Sequence, residues 1–81
     1  MKNLSKLVDT GDYVQVVIIA GTDQVYTRMG IVESFDDNYV SLTDKGLDKA
    51  ELDKKIPIIG ERTIIDADRI IEIICIKKNY T

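Results

Sequence analysis

The hydrophobic pattern of the chain predicts a mainly β protein with five strands. β-Branched and aromatic residues cluster in short runs that are separated by glycine, aspartate and asparagine, as in strands joined by tight turns. The predicted strands lie at residues 13–20, 25–35, 39–43, 63–65 and 70–76. Gly30 interrupts the second run, and glycine inside a strand indicates a sharp bend or a close approach of another backbone. The first three strands are therefore predicted to form a strongly bent antiparallel meander.

The segments outside the strands show other patterns. Apolar residues repeat at helical spacing behind Asn3, which predicts a short N-terminal helix over residues 3–9 with Asn3 as its N-cap. Residues 44–61 begin with a charged run and end in an apolar run that contains Pro57. They are predicted to form a variable surface loop that ends in an edge strand or a covering loop. Residues 77–81 are predicted to form a flexible tail.

The last strand lacks the alternation of apolar and polar residues that a half-exposed strand shows. Its run from Ile70 to Ile76 contains one charged residue, Glu72, so both of its faces are apolar. One small barrel has a single interior, and the second apolar face needs cover from the N-terminal helix or from a partner subunit. An open apolar edge also invites the addition of another strand. The pattern favours a homo-oligomer, and a monomer with ordinary edge protection is the alternative.

Composition narrows the classes of function. The chain has 81 residues with one Cys and no His, which excludes an internal disulfide, a Cys/His zinc cluster and imidazole catalysis. No pairing of nucleophile and base is available, so we expect neither enzyme activity nor a cofactor. No apolar run is long enough for a bilayer helix or a signal peptide. We therefore expect a single cytoplasmic domain over residues 1–81 that does not contact a membrane.

Two stretches carry a recognisable order of residues. Residues 30–36 read GIVESFD, and residues 39–44 continue as YVSLTD. This order resembles the first Sm motif of Sm and Lsm proteins, and residues 33–36 are also similar to the equivalent stretch of Hfq. Residues 64–73, which read IIDADRIIEI, stand where the family has its second Sm motif. The chain thus resembles the Sm-like family over most of its length; the C-terminal domain of the ribosome maturation factor RimP is the alternative small barrel.

The resemblance implies a fold, an assembly and a ligand. The fold is a strongly bent five-stranded antiparallel small barrel with a short N-terminal helix. The assembly is a ring of roughly five to seven subunits, in which the fourth strand of one subunit pairs with the fifth strand of its neighbour. The ligand is single-stranded RNA, bound by the turn after the second strand and the turn before the fifth. In this chain the implied RNA-binding residues are Asn38, Tyr39, Asp68 and Arg69.

These residues also have purely structural interpretations. Tyr39 either stacks on a base or packs as an aromatic residue of its strand. Asn38 follows two aspartates and is typical of a turn. Arg69 either contacts RNA or forms an ion pair with Asp66 or Asp68. Both interpretations of each residue stay open on the sequence alone.

Acidic residues accumulate at the same two turns. Asp66 stands where Sm proteins have the arginine of an Arg-Gly pair, and the other members of the set are Asp36, Asp37 and Asp68. The formal net charge of the chain is −3, and carboxylates around a ring axis repel a polyanion. A second hypothesis is therefore a structural or protein-interaction module that has lost RNA binding.

Carboxylates can also bind Mg²⁺ or Ca²⁺, but their spacing matches no calcium loop and predicts no metal site. Arg28, within the second strand, is interpreted as a solvated charge.

Overall fold

The structure is a computed structural model that describes residues 3–48, 50 and 62–80. They form one antiparallel sheet of five strands, namely β1 (Tyr13–Ala20), β2 (Gln24–Phe35), β3 (Tyr39–Thr43), β4 (Arg62–Asp66) and β5 (Ile70–Lys77). The spatial order is β4-β3-β2-β1-β5, so β5 returns across the sheet to pair with β1. The predicted mainly β fold is confirmed, and each strand boundary lies within one residue of its predicted place. The apolar run around Pro57 falls outside the described residues.

The N-terminal segment is shorter than the predicted helix. Residues 3–9 contain a single 3₁₀ turn, Leu4–Lys6, in place of an α-helix. Asn3 precedes this turn with a φ of 63°, and its side chain makes no capping hydrogen bond. The helix cannot continue because Asp12 N donates to Asp9 O, and Asp9 N donates to the Asp12 carboxylate, which turns the chain into β1.

The core lies on one face of the sheet. Every strand contributes to it, and the N-terminal segment and the turn before β5 close it. Its buried members are Leu4, Val8, Val14, Val16, Ile18, Val32, Val40, Leu42, Ile65, Ala67 and Ile70. A second, smaller cluster joins Tyr13, Ile31 and Leu47 to the partly buried Met29 and Tyr80. The sheet is therefore anchored by aliphatic burial, the largest favourable term for a chain of this size.

Gly30 of β2 lies so close to β3 that a side chain has no room there. A Cβ atom at this position would lie 2.9 Å from Leu42 Cβ and 3.2 Å from Thr43 O. Both neighbours belong to the packed strand β3, so neither can move away without disturbing the sheet. The close backbone approach predicted from the glycine is thus confirmed.

A β-bulge changes which side chains of β5 face the core. The register of β5 against β1 shifts at Ile71, which is an extra residue on its strand. Because of this extra residue, Ile70 before the bulge and Ile73 after it both pack against the core. Ile71, Ile74 and Ile76 are between 44% and 50% exposed. The excess of isoleucine on β5 therefore faces solvent in the part of the chain that the structure describes.

The sheet is not closed into the barrel that the resemblance implies. β4 pairs with β3 and β5 pairs with β1, so each has a partner strand on one side only among the described residues. The connection between them is a second 3₁₀ turn, Ala67–Arg69. Because β4 and β5 occupy opposite ends of the strand order, closure would require a ladder between them.

Asp12 is a fully buried carboxylate that fixes the chain beyond β5. Asp12 Oδ1 accepts a hydrogen bond from Asn79 N at 3.0 Å, and Oδ2 accepts from Asp9 N at 3.0 Å and from Lys78 Nζ at 3.4 Å. Burial raises the pKa of Asp12, but these hydrogen bonds outweigh it and hold the pKa below the ordinary value of 3.8. The native state therefore favours the ionised form of this group.

Residues 78–80 lie against the segment that leads into β1. Lys77 belongs to β5. Tyr80 N donates to Gly11 O at 2.9 Å, and the ring of Tyr80 lies 5.4 Å from that of Tyr13. The flexibility expected of the tail stays a prediction.

The replacement Gly30→Ala is expected to lower the free energy of unfolding by about 1–3 kcal/mol, the usual cost of overpacking. Gly21→Asn is the matched control, because Gly21 has open space around it and asparagine tolerates its φ of 71°. Urea unfolding followed by circular dichroism measures both variants. Equal losses in the two variants would contradict the close approach at Gly30.

The replacement Asp12→Asn is expected to destabilise the protein most above pH 4. Because the pKa of Asp12 is lowered in the native state, its ionisation stabilises the fold fully above its ordinary pKa near 3.8. That contribution is lost as the pH falls through the lowered native pKa. Unfolding free energies measured from about pH 6 to 2 should therefore converge for the variant and the parent at the acid end. A constant difference across this range, or one no larger than that of the exposed control Asp37→Asn, would disprove the assignment.

Candidate nucleic-acid interface at two adjoining turns

A backbone hydrogen bond joins the two turns that the resemblance assigns to RNA. Ala67 N donates to Asn38 O at 2.9 Å. In the ladder between β3 and β4, Tyr39 lies opposite Asp66. The turn between β2 and β3 and the turn before β5 therefore lie side by side at one end of the sheet. Asn38, Tyr39, Asp68 and Arg69 all fall on these adjoining turns or directly beside them.

The first turn is built around Asp36. Its Oδ1 accepts hydrogen bonds from Asn38 N at 2.6 Å and from Tyr39 N at 3.2 Å. Asp36 N also donates to Tyr39 O at 3.0 Å. An aspartate that accepts from backbone groups two and three residues later is a common turn former. Asp36 thus fixes the backbone of Asn38, whose side chain remains at the exposed surface.

Tyr39 begins β3 as a half-buried aromatic residue. Its hydroxyl donates to Ser34 Oγ on β2 at 3.4 Å. This contact across the strands holds one end of the ring. The packing predicted for an aromatic residue of the strand is therefore present, and the remaining exposed part of the ring is what a base could contact.

The second turn is built around Asp66. The side chain of Asp66 caps the 3₁₀ turn by accepting a hydrogen bond from Asp68 N at 3.0 Å. Arg69 is exposed and forms no ion pair with either aspartate. The ion pair considered for Arg69 is therefore absent, because the Asp66 carboxylate points at the backbone of its own turn.

The electrostatic character of this end of the sheet is acidic. The two turns and their flanks carry four exposed aspartates, namely Asp36, Asp37, Asp66 and Asp68, and one arginine. Two of the carboxylates already accept backbone hydrogen bonds, which leaves Asp37 and Asp68 directed at solvent. Among the residues that the structure describes, no group of three or more His, Cys, Asp or Glu is placed to hold a metal ion.

A pair of residues on β2 is placed differently from the sequence prediction. Arg28 is interpreted from the sequence as a solvated charge, but its guanidinium carbon lies 4.6 Å from the centroid of the Tyr26 ring. Residues two apart on a strand share a face. The spacing of Tyr26 and Arg28 could therefore have indicated this contact from the sequence. Arg28 and Arg69 line the same groove.

Comparisons of the chain with family models, with curated proteins and with solved structures find no match. The Sm-like resemblance therefore depends on the residues of the two motifs and on the strand order. Within the described part of the chain, no helix is long and apolar enough to cross a membrane.

The replacement Asp66→Ala is expected to lower the free energy of unfolding by about 0.5–2 kcal/mol, because it removes the cap of the turn. Asp68→Ala removes the same charge but no cap, so its effect should stay within about 0.5 kcal/mol. Urea titrations of the two variants and of Asp66→Asn, which can keep the cap, measure the difference. Equal losses for both alanine variants would show that the cap is not what holds the turn.

Proposed function

We propose that this protein is an Sm-like scaffold that forms a ring and binds single-stranded RNA without catalysis, as an RNA-binding or RNA-chaperone protein. The observation that carries the proposal is the hydrogen bond between Ala67 N and Asn38 O. It joins the two turns that the resemblance assigns to RNA, on a sheet whose outer strands each have one unpaired side among the residues that the structure describes.

The strand order supports the proposed ring. β4 and β5 are the outer strands, so β4 of one subunit can pair with β5 of the next. Such a contact joins two different surfaces, and repetition of it closes into a ring when the rotation between subunits permits. Ile64 on β4 is 66% exposed, and the exposed isoleucines of β5 offer a matching apolar surface. Subunit pairing would remove both open edges, which are otherwise an aggregation hazard.

The RNA contacts follow from the chemistry of the four candidate residues. The exposed part of the Tyr39 ring can stack on a base, and the Arg69 guanidinium can stack or bind a phosphate. Asn38 offers an amide donor and acceptor. Asp68 offers a carboxylate, which accepts hydrogen bonds from N–H groups on base edges but repels phosphates. The arrangement therefore suits the recognition of exposed base edges better than a general affinity for the backbone.

A protein-interaction ring without RNA is the second candidate. The observation that favours it is the excess of exposed aspartates over Arg69 at the two turns. Under this candidate the ring forms, but its acidic face repels RNA and recruits a protein. The third candidate is a monomeric domain similar to the C-terminal domain of RimP. A measurement of oligomeric state distinguishes it from the two ring candidates.

The replacement Ile74→Lys is expected to dissociate the ring, because a charge on an edge strand opposes pairing with a neighbour. Ile74 is 44% exposed, so the variant should keep its fold. Glu72→Gln is the control on the same strand and should leave the assembly intact. Size-exclusion chromatography with circular dichroism measures both properties. Coelution of Ile74→Lys with the parent as a folded species would contradict pairing through β5.

RNA binding is expected to depend on Tyr39 and Arg69. Fluorescence anisotropy with short U-rich and A-rich RNAs, at low and moderate salt, measures the affinity of the parent protein. Tyr39→Leu should weaken binding roughly tenfold, since loss of base stacking costs about 1–3 kcal/mol. Arg69→Gln should weaken binding more than the charge-matched control Lys45→Gln.

The same titrations separate the candidates. A ring that binds neither RNA at either salt would refute the RNA proposal and support the protein-interaction module. Equal losses in Arg69→Gln and Lys45→Gln would show general electrostatic attraction and contradict a site at the turns.

A further inference from the structure

A groove opens at the place where the sheet does not close. Tyr26 and Arg28 of β2 line one side, and Thr63, Ile64 and Asp66 of β4 line the other, with Arg69 beside them. Its volume is about 430 Å³, within the range of roughly 300–1,000 Å³ that small-molecule sites occupy. The groove reaches the inward-facing Ile18 of β1, so it has an apolar floor.

The guanidinium of Arg28 is held in place on its own strand. Its carbon lies 4.6 Å from the centroid of the Tyr26 ring, a cation–π contact. Arg28 Nη1 donates to Thr27 O at 3.0 Å. These contacts orient the group but leave most of its five N–H donors for a ligand.

Neither arginine of the groove has a carboxylate partner among the described residues. Arg62, by contrast, donates to Glu33 through Nε at 2.8 Å and Nη2 at 2.6 Å, and this pairing holds the pKa of Glu33 below its ordinary value. Arg28 and Arg69 have no such partner. The carboxylate of Asp66 also lines the groove, where it accepts the hydrogen bond from Asp68 N. The groove thus carries two positive charges and one negative charge on an otherwise acidic protein.

We propose that this groove binds a small amphipathic anion, an oxyanion attached to a compact apolar group. The forked donors of Arg28 and Arg69 match a phosphate or a carboxylate. Ile18, Ile65 and the Tyr26 ring supply the apolar contact. The groove shares Arg69 with the proposed RNA site, but the proposal does not rest on RNA binding, because Tyr26 and Arg28 lie outside the turns.

Titrations with matched fragments test the site on the whole protein. Phenyl phosphate carries both features, inorganic phosphate carries the anion alone, and phenol carries the ring alone; benzoate distinguishes carboxylate from phosphate. Calorimetry at low salt should show that phenyl phosphate or benzoate binds more tightly than either fragment. Amide NMR signals of Tyr26, Thr63 and Ile64 should shift in that titration.

Substitutions inside and outside the groove test where the anion binds. Arg28→Gln should weaken the affinity for phenyl phosphate by about tenfold or more, since hydrogen bonds to charged groups are the strong ones. Arg28→Lys keeps the charge without the fork and should lie between Arg28→Gln and the parent. Lys6→Gln, which removes a charge outside the groove, should leave the affinity unchanged, and Tyr39→Leu, which alters the turns, should weaken it far less than Arg28→Gln does.

Three results would overturn the proposal. Phenyl phosphate and benzoate binding no better than inorganic phosphate would exclude an amphipathic site. Equal losses in Arg28→Gln and Lys6→Gln would reduce the effect to net charge. A loss in Tyr39→Leu as large as in Arg28→Gln would assign the anion to the turns.

Discussion

The outer strands β4 and β5 impose the constraint on which the rest of this structure depends. Each has a partner strand on one side only in the described chain, and backbone N–H and C=O groups need partners or water. Ile71, Ile74 and Ile76 of β5 are also 44–50% exposed. The proposed contact between β4 of one copy and β5 of the next would give these backbone groups partners and would cover apolar surface. The proposed ring would therefore complete the sheet that the described residues leave open.

Two local features hold the open sheet in shape. At Gly30 the strands β2 and β3 approach so closely that no Cβ fits, which aligns the meander around the core. Just before β1, the strand that pairs with β2 at Gly30, the buried Asp12 carboxylate accepts hydrogen bonds from the backbone of Asp9 and of Asn79. Its hydrogen bonds compensate the cost of burying a charge. The end of β5 is thereby fixed against the start of β1.

The sequence predicts the strands well because alternation and turn residues are local signals. All five runs, the role of Gly30 and the exposed isoleucines of β5 could be found in this way. The N-terminal helix was wrong because Asp9 and Asp12 turn the chain after one 3₁₀ turn. The contact of Asp12 with Lys78 and Asn79 could not be predicted, because these residues are far apart in sequence and no local pattern shows that they meet. The bulge at Ile71 also depends on how β5 pairs with β1, so the order of residues along β5 alone does not predict it.

For the candidate site too, local features could be predicted from the sequence, and contacts between distant segments could not. The sequence could place Asn38, Asp68 and Arg69 in turns and Tyr39 at the start of a strand, but the hydrogen bond that joins those turns depends on the fold. The sequence could not show that Arg69 forms no ion pair with Asp66, since that depends on where the Asp66 carboxylate points.

The account depends most on the proposed ring, because the ring would account for the open edges of β4 and β5 among the described residues and for the exposed isoleucines of β5. Light scattering of the purified protein at micromolar concentration tests it most directly. The account predicts a mass of roughly five to seven times that of the 9.1 kDa chain. A stable mass of 9.1 kDa under the same conditions would contradict it.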